Sequence, residues 1–325
     1  MNVTVGTFNL NNLFSRWNFK GAARAIGEGG QARSVTVRYT FDDPATFHVR
    51  TAKGRLVLPK DPADTQRLAD RVLAMDVDVL AVQEVENIGA LRQFNTDYLN
   101  GSYSYQALIG GNDPRFIHLG VLSKFPIGAA TTHQSAVHPD DPGRRVFGRD
   151  LQEVEIWSAG ETIRLFTLFN TQLKSHFVPR DQDHDAWVAA AITRRTRQAE
   201  TVARIVTART RPGTRFIVLG DMNDSPDSEA LAPLTSAAEL GLVNALAAPI
   251  EDLPAKDEKP GEEPASTAWT VRHKEPGQPP RHLPYDHIWL SPSLAGKQTG
   301  AFVGRRQRHS GDGSDHDPVW IELTL

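Results

Sequence analysis

Side chains able to hold a hard metal ion and move protons recur where apolar runs of this sequence stop. The clearest case is Ser314-Asp315-His316-Asp317-Pro318-Val319, which sets a carboxylate beside an imidazole just before the alternation Val319, Trp320, Ile321, Glu322, Leu323. Adjacent strand residues point to opposite faces, but at a strand mouth, where the backbone is turning, both can reach into one cleft. Upstream, Gly220-Asp221-Met222-Asn223-Asp224 follows the apolar run Phe216 to Leu219, and Gln83-Glu84 closes the run Val77 to Val82. Asn9 ends a first strand pattern, and Asp286 opens another. All of these groups except His316 offer oxygen and none offers sulfur, a donor set suited to magnesium, manganese or calcium. Any one of them could cap a helix or make a turn. Repetition at successive strand ends is poorly explained by independent capping.

The elements that must position these groups are legible in outline. Val3, Val5 and Phe8 give the first strand, and Leu68, Val72 and Leu73 fall at helical spacing over Asp61 to Met75. Strands are expected over Tyr103 to Leu108, Leu119 to Ser123, Leu151 to Trp157, Ile163 to Asn170 and Asp286 to Leu290. The longest helix is expected from about Asp185 to Thr210, with Ile192, Ala199, Val202, Ile205 and Val206 inward and Arg194, Arg195, Arg197, Arg204 and Arg209 mostly on a solvated face. Residues 15–60 lack a dominant period and read as an insertion with short hairpin strands at Ser34 to Tyr39 and Thr46 to Val57. Residues 249–284, rich in Pro, Gly, Glu and Lys, read as a mobile loop. Many strands and few βαβ repeats favour an α/β sandwich of mixed sheets in one domain spanning residues 1–325.

Composition removes several classes of chemistry. The chain has 325 residues and a formal net charge of −3, so no global basic field advertises a polyanion partner. It contains no cysteine, which excludes disulfides, thiolate catalysis and Cys-ligated zinc. No stretch is long and apolar enough for stable insertion in a membrane. The first residues read as a strand and not as a signal peptide, which leaves both a cytoplasmic protein and a secreted one with its leader removed.

Six runs in order resemble the endonuclease/exonuclease/phosphatase superfamily, the fold of pancreatic-type deoxyribonuclease and abasic-site endonucleases. They are Thr7-Phe8-Asn9-Leu10-Asn11-Asn12, Leu80-Ala81-Val82-Gln83-Glu84-Val85, Asn170-Thr171-Gln172-Leu173-Lys174-Ser175, Leu219-Gly220-Asp221-Met222-Asn223-Asp224, Tyr285-Asp286-His287-Ile288-Trp289-Leu290 and Ser314-Asp315-His316-Asp317-Pro318-Val319. The resemblance implies a four-layer α/β/β/α sandwich with two mixed sheets. It also implies a magnesium- or manganese-dependent phosphodiesterase, with calcium as a further candidate for a structural ion. In the implied roles Glu84 is the principal metal ligand, with Asn9 and Asp315 nearby and Asn11 where some members carry a second acidic ligand. Asp221 and Asn223 position and deprotonate the attacking water, and His316, oriented by Asp286, faces the phosphate. Arg149 contacts phosphate, and Asn170 and Gln172 are further expected substrate contacts. One departure stands out: relatives commonly read Asn-x-His-Leu-Lys-Ser where Gln172 replaces the histidine. His118, near the start of another strand, is then a candidate to supply the imidazole, with Gln172 orienting it.

Local basic residues point to nucleic acid, DNA first, bound through its backbone without sequence reading. The run Gly304-Arg305-Arg306-Gln307-Arg308-His309 contains no acidic residue, which makes Arg305, Arg306 and Arg308 expected substrate contacts. Lys20, Arg24, Arg33, Arg38, Arg50, Lys53 and Arg55 add positive charge to the insertion, and Arg144 and Arg145 precede another strand. The alternatives are a sphingomyelinase-like or other phosphoesterase and a non-catalytic binding member. A monomer is the expected state.

Overall fold

A computed structural model of the chain describes residues 1–14, 17–20, 49–50, 55–56, 60–178, 183–247, 250–253, 267–274, 277–307 and 312–325. The hairpin expected over Ser34 to Tyr39 lies outside these, as do most of Thr46 to Val57 and Arg308. In chain order the elements are β1 (Asn2–Leu13), β2 (Trp17–Lys20), β3 (Val49–Arg50), β4 (Arg55–Leu56), α1 (Pro62–Met75), β5 (Val79–Val85), α2 (Ile88–Asp97), β6 (Tyr105–Ile109), β7 (His118–Ser123), β8 (Ile127–Thr132), β9 (Val137–His138) and β10 (Asp141–Arg145). They continue with β11 (Leu151–Trp157), β12 (Arg164–Gln172), α3 (His184–Arg209), β13 (Phe216–Asp221), α4 (Ala232–Thr235), β14 (Val243–Asn244), β15 (Glu251–Leu253), β16 (Val271–His273), β17 (Arg281–Leu283), β18 (Asp286–Leu290), α5 (Pro292–Ala295), β19 (Gln298–Gly304) and β20 (Val319–Thr324).

Two mixed sheets form the centre. The first runs β15-β19-β20-β1-β5-β7-β6 and the second β14-β18-β13-β12-β11-β8. Their facing sides are apolar: Val3, Val5, Val79, Ala81 and Val121 meet Val154, Ile156, Leu168, Ile217, Leu219 and Ile288. The outer face of the first sheet, with Phe8, Leu80 and Val82, is covered by Leu68 and Val72 of α1 and Leu91 and Phe94 of α2. The outer face of the second, with Phe169 and Val218, is covered by Ala199, Val202 and Val206 of α3. Strands buried on both sides explain the near-continuous apolar runs in the sequence, and the layering is the expected α/β/β/α sandwich.

Helix boundaries follow local chemistry. Asp61 caps α1 by accepting from Ala63 N and Asp64 N, Pro62 stands in the first turn, and Asp76 closes the helix in the left-handed region at φ 45°. Asp183 caps α3, which begins at His184, one residue before the expected start. Two expectations for α3 are corrected. Ile192 is exposed, and Arg195 is fully buried, donating to the Asp224 carboxylate at 2.8 Å and to Lys174 O at 2.6 Å. Simple periodicity cannot see that a neighbouring loop supplies a carboxylate.

Residues 249–284 were expected as a loop, yet they hold β15, which joins the first sheet, and the β16–β17 hairpin. Pro, Gly and charge in the flanking stretch mask the short alternation Trp269-Thr270-Val271-Arg272.

Candidate active site

The register brings the chemistry-bearing strand ends to one edge of both sheets. In the first sheet Asn9 lies opposite Gln83 in the parallel β1–β5 pair, Val85 lies opposite His118 of β7, and Val319 lies opposite Thr7. In the second, Gln172 lies opposite Asp221 in the parallel β12–β13 pair, and Asp221 lies opposite Asp286 of antiparallel β18. C-terminal ends of parallel strands and N-terminal ends of antiparallel ones therefore share one mouth. Gly220 makes the close approach possible: its φ is +130°, and a Cβ there would sit 2.0 Å from Thr171 O. Glu84 adopts φ +63°, beside pairing irregularities on both flanking strands. A bulge of this kind re-aims a side chain out of the pleat, and a non-glycine residue in the left-handed region is a recurrent mark of functional sites.

Asp221, Asp286 and His316 form the centre, with ligand-type atoms all within 4.8 Å of one another. His316 Nδ1 is 2.7 Å from Asp286 Oδ2, and His316 Nε2 is 4.0 Å from Asp221 Oδ2. Burial alone would push the imidazole pKa down. The carboxylates of Asp286 and Asp221, with the Asp286 hydrogen bond, outweigh it and raise the pKa well above the ordinary value. Asp221 is pushed up to about 6, first by burial and then by Asp286 and Glu84, against the opposing pull of His316 and the Gln172 amide. Its Oδ2 accepts from Asn9 Nδ2 at 3.0 Å and from Gln172 Nε2 at 3.1 Å, while Oδ1 accepts from Asn223 N at 3.0 Å. The Asn223 amide in turn donates to Leu173 O at 3.2 Å. With Asp286 holding Nδ1 and Asp221 facing Nε2, the trio is arranged to hold and pass a proton.

Oxygen donors for a divalent ion lie beside it. Asn9 Oδ1 accepts from Asn11 N at 2.9 Å and, as a carbonyl, keeps a second lone pair. Ser314 Oγ donates to Asn9 O at 2.6 Å, tying the Asp315 loop to β1. Lys60, which sequence reading did not single out, donates to Asn11 O at 2.8 Å and to Gly313 O at 2.6 Å, and its ammonium feels both Glu84 and Asp315. Burial is nonetheless the larger influence on Lys60 and pushes its pKa down. Glu84, Asp315 and the Asn9 amide offer oxygen only, the donor type that a hard divalent cation takes. Asn11 Oδ1 accepts from Asn12 Nδ2 at 2.9 Å, and the Asn11 backbone N–H donates to Asn9 Oδ1.

The other expected site residues divide. Arg149 is buried, its Nε has no hydrogen-bond partner among the described residues, and its Nε stands 3.5 Å from the Asp113 carboxylate. Burial lowers its pKa; Asp113, Glu84 and Asp221 oppose that, so the cation faces the centre electrostatically. Gln172 does not orient His118. Its Nε2 donates to Glu84 Oε1 at 2.9 Å and to Asp221 Oδ2, and its buried Oε1 has no partner among the described residues. His118 instead accepts from Gly111 N at Nδ1, 3.0 Å. Asn170 is no substrate contact. It is fully buried and spans the two sheets, donating to Val82 O at 3.3 Å and Gly120 O at 3.0 Å and accepting from Gln83 Nε2 at 2.9 Å. Arg305 and Arg306 are also corrected. Both are buried, and Asp317, whose Oδ1 is 3.0 Å from Arg306 Nε and whose Oδ2 is 3.5 Å from Arg305 Nη1, is their counter-ion. Arg305 further donates to the Trp269 and Thr267 carbonyls and lies over the Trp269 ring. The acid missing from the run itself comes from across the turn.

Thr270 was missed. Its hydroxyl accepts from Asp286 N at 3.1 Å and Tyr285 N at 3.2 Å, its carbonyl accepts from Asp317 N at 2.7 Å, and Val271 bridges His316. The hairpin expected as loose loop thus braces both partners of the His316–Asp286 pair.

Comparison with known proteins gives the family and the fold. The model of the endonuclease/exonuclease/phosphatase family matches residues 6–316. Among curated protein sequences none matches this chain. Similar solved structures include a mannosyl-6-phosphatase from Bacteroides thetaiotaomicron, 16% identical, covering 99% of this chain and 100% of that one with a TM-score of 0.57. An AP endonuclease from Archaeoglobus fulgidus gives 16% identity, 99% and 100% coverage and a TM-score of 0.57. A truncated Caenorhabditis elegans TDP2 gives 16% identity, 100% and 98% coverage and a TM-score of 0.55. At such identities the likeness speaks for the fold alone.

Proposed function

The chain belongs to the endonuclease/exonuclease/phosphatase family, a family of metal-dependent phosphoester hydrolases, and we propose that its own reaction is hydrolysis of nucleic-acid phosphodiesters, DNA first, with magnesium or manganese. The observation that carries this reading is the buried His316–Asp286 pair set against Asp221, with the oxygen donors of Glu84, Asp315 and Asn9 on one side and the Arg149 cation on the other. Basic groups continue from Arg149 to Lys174 and Arg194, which feel its charge. An extended polyanion meets such a trail better than a single small phosphate does. The fold shared with an AP endonuclease is consistent with this; the fold shared with a mannosyl-6-phosphatase names the competing reading.

In this mechanism Glu84, Asp315 and the Asn9 carbonyl would hold the divalent ion. When bound there, such an ion would supply charge neutralisation at the phosphoryl oxygens and would make water easier to deprotonate near neutral pH. Asp221, ionised above about 6, takes the proton of the attacking water. Asn223, whose backbone N–H holds Asp221 Oδ1, helps keep that carboxylate aimed. His316 keeps its Nε2 proton because Asp286 occupies Nδ1, and it donates to the phosphoryl group as negative charge builds there. Arg149 contributes a fixed, desolvated positive charge. Gln172 donates to both Glu84 and Asp221, holding two repelling carboxylates in place.

The test is incubation with supercoiled plasmid, linear duplex, single-stranded DNA, RNA, mannose 6-phosphate and sphingomyelin, with Mg²⁺, Mn²⁺ or EDTA. Metal-dependent nicking of the plasmid is expected. Release of phosphate from the sugar ester alone, or hydrolysis of sphingomyelin alone, overturns the nuclease reading. Inertness on every substrate would mark a binding member of the family.

A further inference from the structure

Beside the catalytic mouth, α3, the β9–β10 hairpin and the segment leaving β12 enclose a pocket of about 380 Å³, lined by Arg144, Arg145, Lys174, Trp187, Arg194 and Arg197. Among the described residues only one carboxylate lines it, Asp141, which stands 3.6 Å from Arg197. Lys174 follows Gln172 by two residues, at most about 7 Å of chain. Arg194 lies against Gly148, the neighbour of Arg149. The cations are close enough to act on one another: Lys174 is pushed down to about 8 by burial and then by Arg149, Arg194, Arg195 and Arg115. Burial, Arg149 and Arg144 likewise push Arg194 down. A concentration of like charge that internal acids leave uncompensated is relieved by an anion. The pocket also has an aromatic wall, Trp187, whose Nε1 donates to Phe177 O at 3.0 Å and is thereby fixed in orientation. Phosphate beside a π-face is the alternation of a nucleic-acid strand.

We propose that this pocket is a second phosphate subsite, holding the backbone phosphate next to the one being cleaved, with Trp187 as the stacking surface for the attached base. The inference rests on the nuclease reading and sharpens it: the substrate is a polynucleotide carrying at least one phosphate beyond the scissile one.

The first arm compares kcat/KM for a thymidine dinucleotide, with one phosphodiester, and a trinucleotide, with two. The second phosphate is expected to raise kcat/KM at least about tenfold, and Arg144→Ala/Arg194→Ala to bring the ratio towards one, with Arg144→Lys/Arg194→Lys restoring part of it. Neither arginine belongs to the apolar core, so the fold is not at stake. The second arm measures binding of a thymidine hexanucleotide in EDTA against salt. The slope of log K on log salt is expected to fall by about 0.7 for each phosphate that the variant no longer neutralises, and Trp187→Ala to weaken binding about 5- to 150-fold. Wild-type ratio and slope in the double alanine variant would overturn the subsite. Arginine-dependent hexanucleotide binding without cleavage of either substrate would retain the subsite and remove the nuclease reading. Arginine-dependent binding of fructose 1,6-bisphosphate with none of the hexanucleotide would overturn the polynucleotide assignment.

Discussion

His316 is held by two carboxylates that act on it differently. Asp286 touches Nδ1 at 2.7 Å and fixes which nitrogen faces outward, while Asp221 stands 4.0 Å from Nε2 and adds charge without a bond. Removing the imidazole by His316→Ala is expected to lower kcat by roughly 10²- to 10⁴-fold, the usual worth of a positioned proton donor, with the fold intact by circular dichroism. Asp286→Asn tests the cause of the raised pKa. Without that carboxylate, burial pulls the His316 pKa down, so the protonated form is lost at lower pH. The basic limb of the kcat profile should therefore move to lower pH. An unmoved limb would mean that His316 is not the group that must stay protonated. Gln172 also changes meaning at this scale. Its amide nitrogen donates to both Glu84 and Asp221, so the residue in the place of a second histidine positions carboxylates and cannot relay protons near neutral pH. Most candidate positions were readable from the sequence because each stands at one end of an apolar run. The partner of each was not, since a partner depends on pairings far apart in the chain, 212 residues for Asn9 and Asp221 and 30 for His316 and Asp286.

At the scale of elements, the same contrast separates strands from their braces. β1, β5, β13 and β20 were expected because both their faces are buried and the runs are apolar. The β16–β17 hairpin was not, because three-residue strands among Pro and Gly carry too little pattern. Arg305 and Arg306 misled for a related reason: their neutralising Asp317 sits across the turn between β19 and β20, where Arg71 of α1 also reaches it at 2.8 Å. The hairpin's brace is testable at Thr270. Thr270→Val keeps the shape and removes the acceptor for Asp286 N and Tyr285 N. Leaving buried N–H groups unpaired is expected to lower unfolding stability by about 1–3 kcal/mol in urea titrations. Because the brace holds Asp286 and adjoins His316, kcat should fall more than KM changes. Loss of stability with unchanged kcat would make the hairpin a packing element alone.

For the molecule as a whole, the sandwich and the site place opposite demands on stability. The core between the sheets and the two outer layers are built from apolar side chains, so the fold is expected to hold without an ion. The mouth, by contrast, gathers Glu84, Asp221, Asp286 and Asp315, and their mutual repulsion, which Lys60, Arg149 and His316 offset in part, opposes folding. A divalent ion that binds the native mouth and not the unfolded chain should therefore stabilise the entire molecule, by about 2.7 kcal/mol at a free concentration one hundred times its Kd. Thermal melts in EDTA and in graded Mg²⁺ or Mn²⁺ measure this directly, with no substrate present. The protein is expected to remain folded in EDTA and to melt higher as metal is added. Glu84→Gln should abolish most of that rise while melting in EDTA no lower than the unsubstituted chain, because the substitution removes one of the repelling charges. An equal metal-dependent rise in Glu84→Gln would place the ion elsewhere, and no rise in either protein would contradict a metal centre built from Glu84, Asp315 and Asn9.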